Sequence, residues 1–509
     1  MDRREFLGGA SGVSIAMSFP ADILASEIPS DLTELSASRL SAAIRQQHVS
    51  CVDVMQAYLG RIHRYNPVYN AIVSMVDDDD LLAQANLADQ ALNKDEYWGW
   101  MHGMPHAVKD LSDAAGLPTS QGSPIFAGTM AEEDDFMIAR IRRQGSIFIG
   151  KTNAPEFGIG SQSYNPVFGA TGSACNPDLT AGGSSGGAAC GLGTRMLPVA
   201  DGSDLMGSLR NPGAFNHVIG FRPTQGRVPD GDGGDLFYQL MSTGGPMGRN
   251  TEDTIRLLHS IAGYNPGEPM SLRDSLPAAD QFRPADLVGV NIGWMGDYDG
   301  YLPTEPGVLD LCEASLGTLE TSGALVEPCM PDFDMDRLWQ AWLTLRHWTR
   351  HNKRDLYDDP ETRRQLKPEA IWEIEGSFNT SAEQVYHAGT ARADWYREIH
   401  RLLGEYDLLI LPTAQVFPFA KDIHWPTEID GTQMDTYHRW MEVVIGGTLA
   451  GIPVCNVPAG FDEQGRPMGM QIMGRFGEDQ KVLEFALAYE TVTGHLETRP
   501  ALREANQSS

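Results

Sequence analysis

From residue 31 to about residue 93 the apolar positions recur at helical spacing. Leu32, Leu35, Leu40 and Ile44 keep one period, and Val52, Met55, Leu59 and Ile62 repeat it. Ser50 suits the N-cap of the second helix, and Asn66-Pro67 predicts its end. The four carboxylates Asp77 to Asp80 read as a solvated helix start, where negative charge meets the positive helix end; no neighbouring ligand makes them a metal site. The texture then changes. Short apolar runs (Ile147-Phe148-Ile149, Val218-Ile219-Gly220-Phe221, Leu408 to Leu411, Val454 to Val457) alternate with Gly/Ser/Pro loops and read as buried strands. Helical patterns such as Thr251 to Ala262 and Asp479 to Thr491 separate them, which predicts an α/β core with helices on both faces of a sheet. Residues 334–406 read as a helical insertion, with Leu338, Trp342, Leu345 and Trp348 on one face. That face predicts core packing; the alternative is that some of these aromatics wall a pocket. There is no internal repeat.

Composition narrows the partners. Of 509 residues, 41% are hydrophobic and 21% charged, an ordinary globular balance. The formal net charge of −30 repels nucleic acid and anionic membrane, so no nucleic-acid partner is expected. Six scattered cysteines without a CxxC pair indicate neither a zinc cluster nor a disulfide framework, although one or two disulfides would fit an exported protein. The N-terminus changes the picture more. Arg3-Arg4 precede a short Gly/Ala/Ser-rich apolar stretch ending near Ala25, the pattern of a twin-arginine export signal over residues 1–26. The expected location is therefore the bacterial periplasm. The stretch is too short and interrupted for a permanent membrane anchor.

The densest unusual segment is Ala181-Gly182-Gly183-Ser184-Ser185-Gly186-Gly187-Ala188, a backbone that must turn sharply and approach something closely. A flexible linker would run longer, and a phosphate loop would carry Lys-Ser/Thr after its glycines. A catalytic serine loop remains. Gly182 to Gly186 formally matches G-x-S-x-G, but the polar Ser173 to Thr180 stretch before it is no apolar strand. The late histidines His424, His438 and His495 lie in no distinctive context.

Two other segments complete a different pattern. Upstream lies His102-Gly103-Met104-Pro105-His106-Ala107-Val108-Lys109-Asp110, and downstream lies Asp201 to Pro212, including Asp204-Leu205-Met206-Gly207-Ser208-Leu209-Arg210. With Gly150-Lys151-Thr152-Asn153, Gly220-Phe221-Arg222-Pro223-Thr224, Leu411-Pro412-Thr413 and Val457-Pro458-Ala459-Gly460-Phe461, these resemble the amidase signature family over nearly the whole chain. The resemblance implies a single large α/β domain, residues 27–509, around a central, mostly parallel mixed sheet flanked by helices. Within it, 31–95 would be an N-terminal helical segment and 334–406 an insertion near the substrate pocket. It implies a small amide substrate, cleaved without cofactor or metal. A homodimer is common in that family.

By the same resemblance Ser208 corresponds to the nucleophile, Ser184 to the bridging serine and Lys109 to the base. The 24-residue separation of the two serines is the family's. Backbone N–H groups at Leu205, Met206, Gly207 and Ser208 would form the oxyanion hole. Asp204 and Arg210 look like its structural charge pair, and Asp110 ranks below them as a loop-orienting residue. The residue types fit the chemistry. A serine hydroxyl is a weak nucleophile until a base takes its proton. A lysine serves only when neutral, so burial must pull it well below about 10.4. A hydroxyl both donates and accepts, so Ser184 can relay a proton in either direction. His102 and His106 are four apart, but Gly103 and Pro105 between them preclude a helical zinc pair.

One position departs from the pattern. Residue 206 is Met where most family members have Gly; only its N–H is needed, so the side chain bears on substrate size more than on activity. The leading expectation is hydrolysis of aryl or alkyl carboxamides, with esters or carbamates accepted as side reactions. The alternatives are an amidotransferase subunit that passes ammonia to a partner, and a binding protein that has lost activity.

Overall fold

The structure is a computed structural model that describes residues 23–229, 235–238 and 241–505. Most of the expected export signal, residues 1–22, lies outside the described residues. The N-terminal pattern forms three helices, Ala37–Arg45, Cys51–Tyr69 and Asp78–Leu92. Ser50 caps the second by accepting the Asp53 N–H, and Asp77 caps the third by accepting the Asp79 N–H. Pro67 does not end the second helix, which runs on to Tyr69 before Asn70 turns left-handed. This close to the C-terminus a proline costs one intrahelical bond and breaks nothing. The Asn66 side chain makes the exit instead, accepting the Ala71 and Ile72 N–H groups at 2.9 and 2.8 Å.

The core is a mixed eight-stranded sheet. Its order is Leu325–Pro328, Asn291–Trp294, Leu408–Pro412, Pro467–Met473, Val454–Phe461, Ile219–Arg222, Thr243–Gly248 and Val199–Asp204. The first two pairings are parallel and the other five antiparallel, which corrects the expectation of a mostly parallel sheet. The reason is partly connection length. Val454–Phe461 and Pro467–Met473 are joined by five residues, too few for a crossover helix. A three-stranded sheet stands beside it, with Ile147–Thr152 central between Ile72–Val73 and Pro105–Lys109.

Between the two sheets runs the helix Gly186–Gly193, buried from Gly186 to Leu192 and apolar on every side. A Cβ on Gly187 would lie 2.3 Å from the Asn153 nitrogen, so glycine permits that approach. The region after Asp334 is helical, with Met335–Arg350, Pro368–Gly376 and Ala382–Glu405 its longer members. Leu338, Trp342 and Leu345 are buried, as core packing requires. Among the described residues no helix is long and apolar enough to cross a membrane, and all six cysteines are free thiols.

Candidate active site

Three chain segments converge at one end of the buried helix. The strand Pro105–Lys109, buried at every position, delivers Lys109 at its last residue. The strand Val199–Asp204 ends in the turn that carries Ser208. The glycine-rich loop enters the helix Gly186–Gly193 through Ser184 and Ser185, with a cis peptide between Gly183 and Ser184. Asn211 Oδ1 accepts the Gly183 N–H at 3.1 Å, and the Ser185 N–H donates to Ser208 O at 3.2 Å, so the two serine segments are bonded to each other.

Lys109 lies inside this junction. Its Nζ is 2.8 Å from Ser184 Oγ, 2.8 Å from Ser185 Oγ, 3.0 Å from Ser203 Oγ and 3.4 Å from Ser203 O. Every one of these atoms is an uncharged oxygen. Burial pulls the ammonium down from its ordinary 10.5 to about 7, against the opposing pull of Asp201 and Asp204. Ser208 is 6% exposed, against 2% for Ser184 and 1% for Lys109, so the expected nucleophile is the most open of the three.

The turn after Asp204 is built around that carboxylate. Asp204 accepts the Gly207 N–H at 3.0 Å and the Leu209 N–H at 3.2 Å. Arg210 grips it with Nε at 3.0 Å and Nη2 at 2.9 Å, and Arg222 Nη1 adds a third contact at 3.3 Å. Burial raises this carboxyl, but the two guanidiniums and the Leu209 N–H outweigh it and hold it well below the usual carboxylate range. The same guanidinium of Arg210 reaches Val444 O at 2.9 Å and Gln471 Oε1 at 2.8 Å, tying the turn to the sheet. Gly207 has φ +73, and a Cβ there would meet the Val444 side chain at 2.9 Å.

Gly207 stood among the expected oxyanion donors, and in this structure its N–H is given to Asp204. The N–H groups of Leu205, Met206 and Ser208 have no such carboxylate partner among the described residues. The Met206 side chain is buried within the main apolar core. Asp110 sits beside the site and accepts the Ser120 N–H at 3.1 Å and the Gly122 N–H at 3.2 Å, which shapes the loop there.

Sequence reasoning passed over Ser185, Ser203 and the pair Asp201–His106. Asp201 Oδ1 accepts from His106 Nε2 at 2.9 Å, and its Oδ2 accepts the Lys109 N–H at 3.2 Å. The signal was available in the strand: Asp201 and Ser203 are two apart and share one face, the face that meets Lys109. His102 lies apart from this cluster; its Nε2 donates to Ala88 O at 2.9 Å. Among the described residues no three His, Cys, Asp or Glu side chains converge to hold a metal ion.

A second apolar cluster adjoins the serines. Phe157, Ile159, Leu366, Ala370, Ile374 and Tyr437 pack together, with Phe126 against Phe157 at its edge. Gly158, between Phe157 and Ile159, places a would-be Cβ 3.7 Å from Ser184 Oγ. The insertion is anchored to this segment, since the Lys367 N–H donates to Glu156 Oε2 at 2.8 Å.

A family model described as Amidase matches residues 53–483. The chain is similar to an acylamidase of Rhodococcus erythropolis, 28% identical over 471 residues that cover 92% of this chain and 97% of the relative. It is also similar to a glutamyl-tRNA(Gln) amidotransferase subunit of Thermosynechococcus vestitus, 31% identical over 89% of this chain and 97% of that one. Among solved structures, a bacterial aryl acylamidase of the amidase signature enzymes superposes with a TM-score of 0.85 at 25% identity, covering 91% of this chain and 98% of the other.

Proposed function

The chain belongs to the amidase family, a hydrolase acting on amide bonds, and from that premise we propose that Ser208, Ser184 and Lys109 are its catalytic relay. The observation that carries the reading is a buried lysine, held near neutrality, whose amine meets Ser184 at 2.8 Å and only uncharged oxygens elsewhere. Neutral Lys109 has one lone pair and two N–H groups. Ser203 O can only accept from it, while a hydroxyl can donate to the lone pair. Ser184 passes its proton to Lys109 and takes one from Ser208, whose Oγ attacks the amide carbonyl. The N–H groups of Leu205, Met206 and Ser208 receive the developing oxyanion. The proton returns through Ser184 to the leaving nitrogen, the step an amide most needs. Water then enters by the same relay and releases the acid from Ser208.

The substrate side of the proposal is an apolar aryl or alkyl amide, with esters or carbamates as side substrates. It is supported by the apolar cluster beside Ser184 and by the acylamidases among the similar proteins. A second reading comes from the other relative: a subunit that releases ammonia for a partner. Glutaminase activity and a co-purifying partner would favour it. The Arg3-Arg4 pattern favours export to the periplasm instead. The deciding experiment is labelling by a fluorophosphonate followed by peptide mass spectrometry. The expected adduct is on Ser208, absent from Ser208→Ala together with anilide hydrolysis. An adduct on Ser185, or full activity in Ser208→Ala, overturns the assignment.

A further inference from the structure

The far ends of two short helices that follow the serines open on a cleft. The helix Gly186–Gly193 ends there, and so does Arg210–Phe215, which follows Ser208. The cleft encloses about 290 Å³, and its wall includes Arg61, Arg195, Arg249, Arg499, Glu34 and His217. Four guanidiniums thus face one carboxylate in a chain whose net charge is −30. A neighbouring cleft of about 410 Å³ shares three of these arginines but adds Glu490 and Glu497, so positive charge is concentrated in the smaller one.

The arginines are fixed and incompletely used. Arg249 donates through Nη1 to Thr33 O at 2.8 Å and through Nη2 to Leu35 O, yet its buried Nε has no acceptor among the described residues. Arg61 donates through Nε to Thr194 O at 2.7 Å and pairs with Asp31 at 3.1 Å just outside the cleft. One carboxylate, Glu34, serves both Arg195, at 3.2 Å, and Arg499. Burial, and after it the repulsion of Arg249, pulls Arg195 down to about 10. His217 donates from Nε2 to His495 O at 2.8 Å, which leaves Nδ1 as a buried lone pair without a partner among the described residues. Burial also pushes this ring down to about 4, so it stays neutral near pH 7.

We propose that this cleft binds a small oxyanion of the phosphate class, one that carries multiple charge. Guanidinium forks match phosphate oxygens, and four of them line this one cleft with a single carboxylate among them. The volume admits roughly ten waters at about 30 Å³ each, enough for a free anion with part of its shell.

Calorimetric titration of the full chain with inorganic phosphate, against chloride at matched ionic strength, tests this independently of amide turnover. Saturable one-to-one binding is expected. Arg195→Gln with Arg499→Gln weakens it by roughly tenfold or more. Arg499→Gln alone, at an exposed position, guards against a folding artefact by weakening it less. Glu34→Gln frees two guanidiniums and tightens binding several-fold, a gain that misfolding cannot produce. No saturable heat, or binding unchanged in the double variant, overturns the proposal. So does sedimentation with phosphatidylglycerol vesicles without any response to free phosphate.

Discussion

Lys109 is where the structure makes its sharpest demand. Its fall from 10.5 to about 7 is worth about 5 kcal/mol at about 1.4 kcal/mol per unit. Two quantities follow from that one number. The rate should follow the neutral amine: kcat/KM for a neutral anilide rises about tenfold per pH unit in acid and levels off above about pH 7. Stability follows with a definite sign. Between about 7 and 10.5 the unfolded chain holds this proton and the folded chain does not, so stability rises with pH across the window. Below about 7 the lysine is charged in both states and the cost of burying it is complete. Lys109→Met abolishes turnover and removes this slope. The variant loses partners for Ser184, Ser185 and Ser203, but that loss does not depend on pH. The stability of Lys109→Met relative to the wild type should therefore shrink by about 2 kcal/mol between about pH 7 and about pH 9. Urea denaturation of both proteins across this range measures it, beside a pH–rate profile. A limb centred at or above about pH 9, or a stability difference that does not move with pH, refutes the reasoning.

Asp204→Asn strips the charge from a carboxylate held by Arg210 and Arg222 in a fully buried site; a loss of about 3–5 kcal/mol is expected in chemical denaturation. Gly207→Ala places a methyl against Val444 at a left-handed position, so a melting temperature lower by several degrees and a reduced kcat are expected, with KM less affected.

Much of the site was legible because its residues sit in local motifs. Lys109, Ser184 and Ser208 each belong to a short segment whose glycines and flanking apolar residues distinguish it. What surrounds them was less legible, because it depends on which strand face meets which. Asp201 and Ser203 lie in the same segment as Ser208, yet their bearing on Lys109 appears only when Val199–Asp204 is laid against Pro105–Lys109. Sheet direction was hidden for a similar reason. Alternating strands and helices suggest parallel crossovers, but pairing is settled by long-range contacts, such as Ile219–Arg222 beside Val454–Phe461, more than two hundred residues later. The bond from the Gly207 N–H to Asp204 was hidden as well, because a backbone N–H carries no sequence signal and the Asp204 side chain folds back on its own turn.

The groups around Lys109 bear on how readily it gives up its proton, as the proposed base role requires. Two buried carboxylates lie close enough to favour its ammonium, and unopposed they would hold the proton on it. Asp204 is held by Arg210, Arg222 and two backbone N–H groups rather than by the amine. Asp201 is occupied by His106 and by the Lys109 backbone N–H, not by the amine. The amine is left among hydroxyls and one carbonyl, which solvate a neutral nitrogen well and an ammonium poorly. Arg210 braces the turn that carries Ser208, and its pair with Asp204 holds that carboxyl well below the usual carboxylate range, while burial is what brings Lys109 down to about 7.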